Sequence, residues 1–142
     1  MPPLAGIAVT EVTRMSSFSC RVIRVLEDQG TLLVAFADDE PPQRYLLLQR
    51  ALETPTDRER DLGLDRVHVS TEKTEGEGRY GGIHRVELSS VSLRLGFTAE
   101  ASRELGLDES LIVDLSQAAM DTVELERALN QALAPLRVTR VD

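Results

Sequence analysis

The sequence predicts an α+β fold: a mainly antiparallel β-sheet with a short helix and a longer C-terminal helix packed on one face. Three observations predict it. Short runs rich in Val, Ile and Leu recur through the first two thirds of the chain, each bounded by turn residues. Two such runs flank Ser89-Ser90 closely enough to form a hairpin. Helical patterns that begin with capping residues appear only later, at Thr98 and at Asp121.

The apolar runs define the strands. Residues 31–37 are apolar on both faces, which is typical of a central strand in a sheet that is covered on both sides. Shorter strands are expected over 65–70 and 111–115. One mainly antiparallel sheet is expected from the five longer runs, which are residues 18–26, 31–37, 45–50, 82–88 and 91–97.

Two helices follow the strands. Thr98 is a suitable N-cap for a short helix that ends at Leu105, with Gly106 as the residue that stops it. The longer helix opens with the capping-box pattern of residues 121–124 and ends before Pro135. The apolar residues of this helix recur at helical spacing and are predicted to face the sheet. They are Leu125, Leu129, Ala132 and Leu133.

Length and composition limit the number of domains, the type of ligand and the location that this chain can have. A chain of 142 residues predicts one domain, here residues 17–136, with an irregular arm over 1–16 and a tail over 137–142. The formal net charge of −8 argues against nucleic acid as a ligand, because phosphate binding depends on Lys and Arg. No signal peptide or long apolar segment is visible, so we expect no membrane partner and a cytoplasmic location.

The sequence offers no catalytic constellation, and we expect neither enzymatic activity nor a cofactor or metal. Cys20 is expected in the middle of a buried strand, where a thiol acts as a small hydrophobe. His68 is expected to face solvent. His84 is expected either at the end of a buried face or at a bulge caused by Gly81-Gly82. The glycine-rich residues 75–82 precede a strand and lack the Lys-Ser/Thr of a phosphate-binding loop, so a flexible loop is the better interpretation.

Acidic residues are the candidate binding groups. Asp38, Asp39 and Glu40 follow a predicted central strand, and prolines then close that loop. Three more acids, Glu72, Glu75 and Glu77, precede the Gly81-Gly82 pair. Acids on loops can meet a basic partner without first being buried in a core, so we predict that both groups contact a protein partner. The alternative is that they only keep the protein soluble.

Several short motifs, in order, resemble the immunity protein 10 family of bacterial polymorphic-toxin systems. The resemblance spans roughly residues 18–134, and departs in the longer N-terminal arm and in Pro41-Pro42. The motifs are Phe36-Ala37-Asp38-Asp39-Glu40, Tyr45-Leu46-Leu47-Leu48-Gln49-Arg50, Tyr80-Gly81-Gly82-Ile83 and the hairpin to Leu95.

The resemblance implies a cytoplasmic antitoxin that binds and blocks a cognate toxin domain and catalyses nothing. Because such proteins recognise different toxins with different surfaces, it implies no contact residues. Two other interpretations of the residues stay open: a non-catalytic module that forms homo-oligomers, and a small-ligand-binding module.

Overall fold

The computed structural model describes residues 15–74 and 77–141. Within them the chain forms ten strands and three helices. The strands are β1 (Ser16–Ser19), β2 (Val22–Asp28), β3 (Thr31–Ala37), β4 (Tyr45–Ala51), β5 (His68–Thr71), β6 (Arg79–Tyr80), β7 (Ile83–Leu88), β8 (Ser92–Phe97), β9 (Ser110–Asp114) and β10 (Thr139–Arg140). The helices are α1 (Asp57–Asp61), α2 (Ala99–Leu105) and α3 (Thr122–Leu133).

The strands form two five-stranded sheets. The first sheet has the order β1-β9-β8-β7-β10, and the second has the order β2-β3-β4-β5-β6. Every pairing in the second sheet is antiparallel, whereas β1 and β10 pair parallel with their neighbours in the first. The α+β class and the mainly antiparallel pairing are therefore confirmed. The expectation that the five longer runs share one sheet is wrong.

The chain passes from the first sheet to the second at Cys20. The Cys20 amide donates to the Asp114 carbonyl oxygen at 2.8 Å, and the Arg21 amide donates to the Ala37 carbonyl oxygen at the same distance. The run predicted as one strand over 18–26 is therefore two strands, one in each sheet. Its continuous apolar pattern hid this break, because β1 and β2 both contribute side chains to the same core.

One hydrophobic core lies between the sheets and includes the buried residues of α2 and α3. Its largest fully buried side chains include Phe36 of β3 and Phe97 of β8. The buried residues alternate along β3 and β4, as expected for strands with one face in a core. The prediction that β3 is covered on both sides is wrong, because Leu33, Ala35 and Ala37 on its other face are only half-buried.

The predicted N-caps Thr98 and Asp121 and the stop at Gly106 are confirmed, whereas within the described residues the predicted capping box at Asp121 lacks its reciprocal bond from Glu124. The Thr98 side chain accepts from the Ala101 amide, and Gly106 ends α2 in the left-handed conformation, with φ of 69°. The Asp121 side chain accepts from two amides at the start of α3, whose predicted apolar stripe is buried. The Arg50 Nη1 atom donates to the carbonyl oxygens of Ala132 and Ala134 at the end of α3. Since Arg50 pairs with the buried Leu32, α3 lies on the buried face of the second sheet.

The described residues begin at Met15 and end at Val141. Most of the predicted N-terminal arm, residues 1–14, lies outside the described residues. Near the C-terminus, β10 pairs with β7 through Thr139 and Arg140.

In the described part of the chain, no helix has the length and apolar character needed to cross a membrane.

Candidate functional site

The two predicted acidic groups lie at the same end of the second sheet. β3 ends at Ala37 and β5 ends at Thr71, and both run antiparallel to β4, which lies between them. A hydrogen bond of 2.9 Å from the Tyr45 amide to Glu72 Oε1 joins the start of β4 to the segment after β5. The tertiary structure thus brings together acids that are more than 30 positions apart in the sequence. Glu75 lies outside the described residues.

Asp38 shapes the loop that joins β3 to β4. Its Oδ1 atom accepts hydrogen bonds from the Gln43 and Arg44 amides, each at 3.0 Å. Its own amide donates to the Arg44 carbonyl oxygen at 3.1 Å. The hydrogen bond from the Arg44 amide is the main cause that lowers the pKa of Asp38 below its ordinary value of 3.8. The ionised carboxylate therefore holds the loop closed.

Asp39, Glu40 and Glu77 are the exposed acids of this end. Asp39 Oδ1 accepts from the adjacent Glu40 amide at 2.8 Å, and the Glu40 carboxylate forms an exposed ion pair with Arg24 at 2.8 Å. We call this set of acids, together with Asp38 and Glu72, the acidic end. Within it, Asp38 and Glu72 accept hydrogen bonds from backbone amides and Glu40 is paired with Arg24, whereas Asp39 and Glu77 are exposed and form no ion pair within the described residues.

The role of Asp38 predicts a dependence of stability on pH. Because its folded pKa is lowered, the carboxylate stabilises the fold above its ordinary pKa, and this contribution is lost as pH falls through the folded value. We expect Asp38→Asn to lower the free energy of unfolding at neutral pH and to have little effect once Asp38 would be protonated. Urea unfolding at neutral and strongly acidic pH measures this.

Asp39→Asn is the matched control, since it removes the same charge from the same loop but leaves the two hydrogen bonds to Gln43 and Arg44 intact. Equal losses of stability in the two variants at neutral pH would contradict the structural role given to Asp38.

The single cysteine of the chain is buried. Cys20 is buried as expected, but it lies between two strands and not within one. Its Sγ atom lies 3.3 Å from the Val22 carbonyl oxygen, and burial raises the pKa of the thiol. A buried thiol with a raised pKa is a poor nucleophile.

The two histidines lie on different sheets. His84 is exposed at the irregularity between Ile83 and Arg85, so the bulge alternative is confirmed and the buried one is wrong. His68 lies opposite its buried neighbours as expected. However, it is half-buried, and its ring packs edge-on against Tyr80 with centroids 4.9 Å apart. The His68 Nδ1 atom is buried with no hydrogen-bond partner in the described chain. Among residues 15–74 and 77–141, no three His, Cys, Asp or Glu side chains are grouped to hold a metal ion.

Sequence reasoning missed an apolar surface beside the acidic end. Leu26 pairs with Leu33, and Ala35 pairs with Leu47, so these four side chains project from the same side of the second sheet. That side is opposite to the buried Leu32, Val34 and Phe36, and we call the four residues the outer apolar face. The signal for this surface in the sequence is the doubly apolar pattern of β3, which a strand covered on both sides would share.

Comparison with known protein families supplies the decisive observation. The family of immunity protein 10 matches residues 19–126, well over half of the chain. This chain belongs to the immunity protein 10 family. The match runs from the end of β1 into α3, so it includes the second sheet and the described residues of the acidic end. It confirms the resemblance that the motifs indicated. Among curated proteins, no significant match is found.

Proposed function

We propose that this member of the immunity protein 10 family neutralises a cognate bacterial toxin by binding its toxic domain and blocking it, without catalysis, in the cytoplasm. Family membership carries the proposal. The structure is compatible with an inhibitor, because two sheets around one core form a rigid support for the loops at their ends. A surface that is organised before binding loses less entropy when the complex forms.

The charge of the protein supports a partner with a basic surface. The chain has a net charge of −8, and three exposed acids lie together at the acidic end. Long-range attraction between opposite charges raises association rates, and acids at the rim of an interface act mainly in this way. We therefore propose that the acidic end contacts the toxin, with Asp39, Glu40 and Glu77 as the groups that meet its cations.

A toxin domain encoded beside the gene for this chain would be the natural test partner. We expect co-expression of this chain to restore growth to cells that produce the toxin domain, and the purified pair to elute together in size-exclusion chromatography. A toxin domain that remains fully active, and elutes alone, in the presence of excess chain would contradict the proposed function.

The acidic end predicts an effect of charge reversal on association. We expect the double variant Asp39→Lys/Glu77→Lys to slow association with the toxin domain by about tenfold at low salt, because it removes attraction and adds repulsion. High salt is expected to reduce the difference from the original protein. Stopped-flow or surface-binding kinetics at two salt concentrations measure both effects.

The double variant Asp61→Lys/Glu109→Lys is the matched control, since it changes the net charge equally at exposed positions outside the acidic end. Equal slowing by the two variants would show that only net charge matters and would remove the acidic end as a contact.

A further inference from the structure

We propose that the toxin domain docks on the outer apolar face, Leu26, Leu33, Ala35 and Leu47, with its basic groups against acids at the two ends of that face. The inference rests on the proposed function and assigns a surface to it. The partner surface that fits is apolar at its centre and carries Lys or Arg on both sides.

The outer apolar face is not part of the core. Leu33, Ala35 and Leu47 are half-buried and Leu26 is 52% exposed, and none of the four packs into the hydrophobic core. Leu33 pairs with Gln49 and Gln49 pairs with His68, so one polar side chain separates the face from the His68–Tyr80 ring contact. A contiguous apolar surface of this kind is typical of an interaction site.

Strand β2, which carries Leu26, also has an edge with no neighbouring strand among the described residues. β2 is the terminal strand of its sheet and is seven residues long, whereas the other terminal strands, β1, β6 and β10, have two to four residues. Within the described residues, β2 therefore offers the longest row of backbone groups that lack a neighbouring strand. Proteins usually shorten or cover such edges, and an uncovered one is able to pair with a partner chain.

The charges around the face determine which partner fits. Asp28 lies at one end of β2, and the loop that carries Asp38, Asp39 and Glu40 lies at the other end of the face. Arg24, which shares the face with Ala35, is paired with Glu40. Arg44, in the same loop, donates to the Ser17 carbonyl oxygen, and Asp38 accepts two backbone amides. Asp28 at one end and Asp39 at the other are exposed and form no ion pair within the described residues. A second copy placed face to face would bring acid against acid in either direction, so charge favours a basic partner over self-association.

The Arg24–Glu40 ion pair also shows that the face and the acidic end are continuous. It joins a side chain on the sheet to one on the loop over a distance of 2.8 Å. A partner that covers the outer apolar face would therefore reach the acidic end. Apolar contact would then supply most of the affinity, while the acids raise the association rate.

The test compares two exposed leucines. We expect Leu26→Lys to weaken binding to the toxin domain encoded beside the gene by about a hundredfold, mainly through faster dissociation, because it places a cation in an apolar contact with a basic partner. Leu62→Lys is the matched control, because Leu62 is 60% exposed, follows α1 and lies outside the face. We expect it to bind within about twofold of the original protein. Isothermal titration and dissociation kinetics give the values, and thermal unfolding confirms that both variants fold.

A second measurement does not depend on substitutions. We expect amide hydrogen exchange in β2 to slow when the toxin domain binds, and exchange in β9 of the first sheet to be unchanged. Three results would overturn the inference while leaving the proposed function in place: equal binding by both lysine variants, protection confined to the first sheet, or a homodimer of this chain that Leu26→Lys dissolves without changing toxin binding. Failure of the original protein to bind the toxin domain would instead contradict the proposed function.

Discussion

Gly82→Ala is expected to destabilise the protein severely, because the backbone at Gly82 and its close contact with α2 both require glycine. Its φ angle is 99°, a conformation that residues with a Cβ atom rarely adopt. A Cβ atom there would lie 2.5 Å from Ala101 Cβ, and Ala101 is fully buried in α2. Strained backbone costs about 1–3 kcal/mol and overpacking about 1–3 kcal/mol more. Urea unfolding measures the total loss in the free energy of unfolding.

Gly63→Ala is the matched control. Gly63 also has a positive φ, 76°, but a Cβ atom there would have no neighbour within 4 Å. We expect this variant to lose only the backbone contribution, about 1–3 kcal/mol. If both variants lost the same stability, the contact between Gly82 and Ala101 would not be the cause of the larger effect.

Phe36→Ala is expected to lower the free energy of unfolding by about 3–5 kcal/mol, because it removes a fully buried ring and leaves a cavity. Domains have total stabilities of about 5–15 kcal/mol, so a large part of the stability would be lost. Chemical unfolding of the purified variant gives the change, and co-expression with the toxin domain shows whether neutralisation survives it.

Phe18→Ala provides the comparison at a second phenylalanine. Phe18 lies on β1 and is only partly buried against the same core, so its removal is expected to cost clearly less than removal of Phe36. A cost equal to or greater than that of Phe36→Ala would show that burial does not rank these two positions.

Local signals predicted the elements well. The helix caps at Thr98 and Asp121 and the hairpin around residues 89–90 depend on neighbours within a few positions, so their physical causes are visible in the sequence. The candidate site was predicted less completely. The acidic residues were predicted from their loops as contacts for a partner, but the bonds that they form within the protein depend on residues far along the chain, such as Tyr45 for Glu72 and Arg24 for Glu40.

The sequence by itself determined the α+β class, the order of most elements, the apolar stripe of α3 and membership of the immunity protein 10 family. Only the tertiary structure decided that the strands divide into two sheets at Cys20, and that one side of β3 stays outside the core. The physical reason is that hydrophobicity records which side chains avoid water but not which surface covers them. Residues 31–37 have the same pattern whether a helix, a second sheet or another protein packs on their second face.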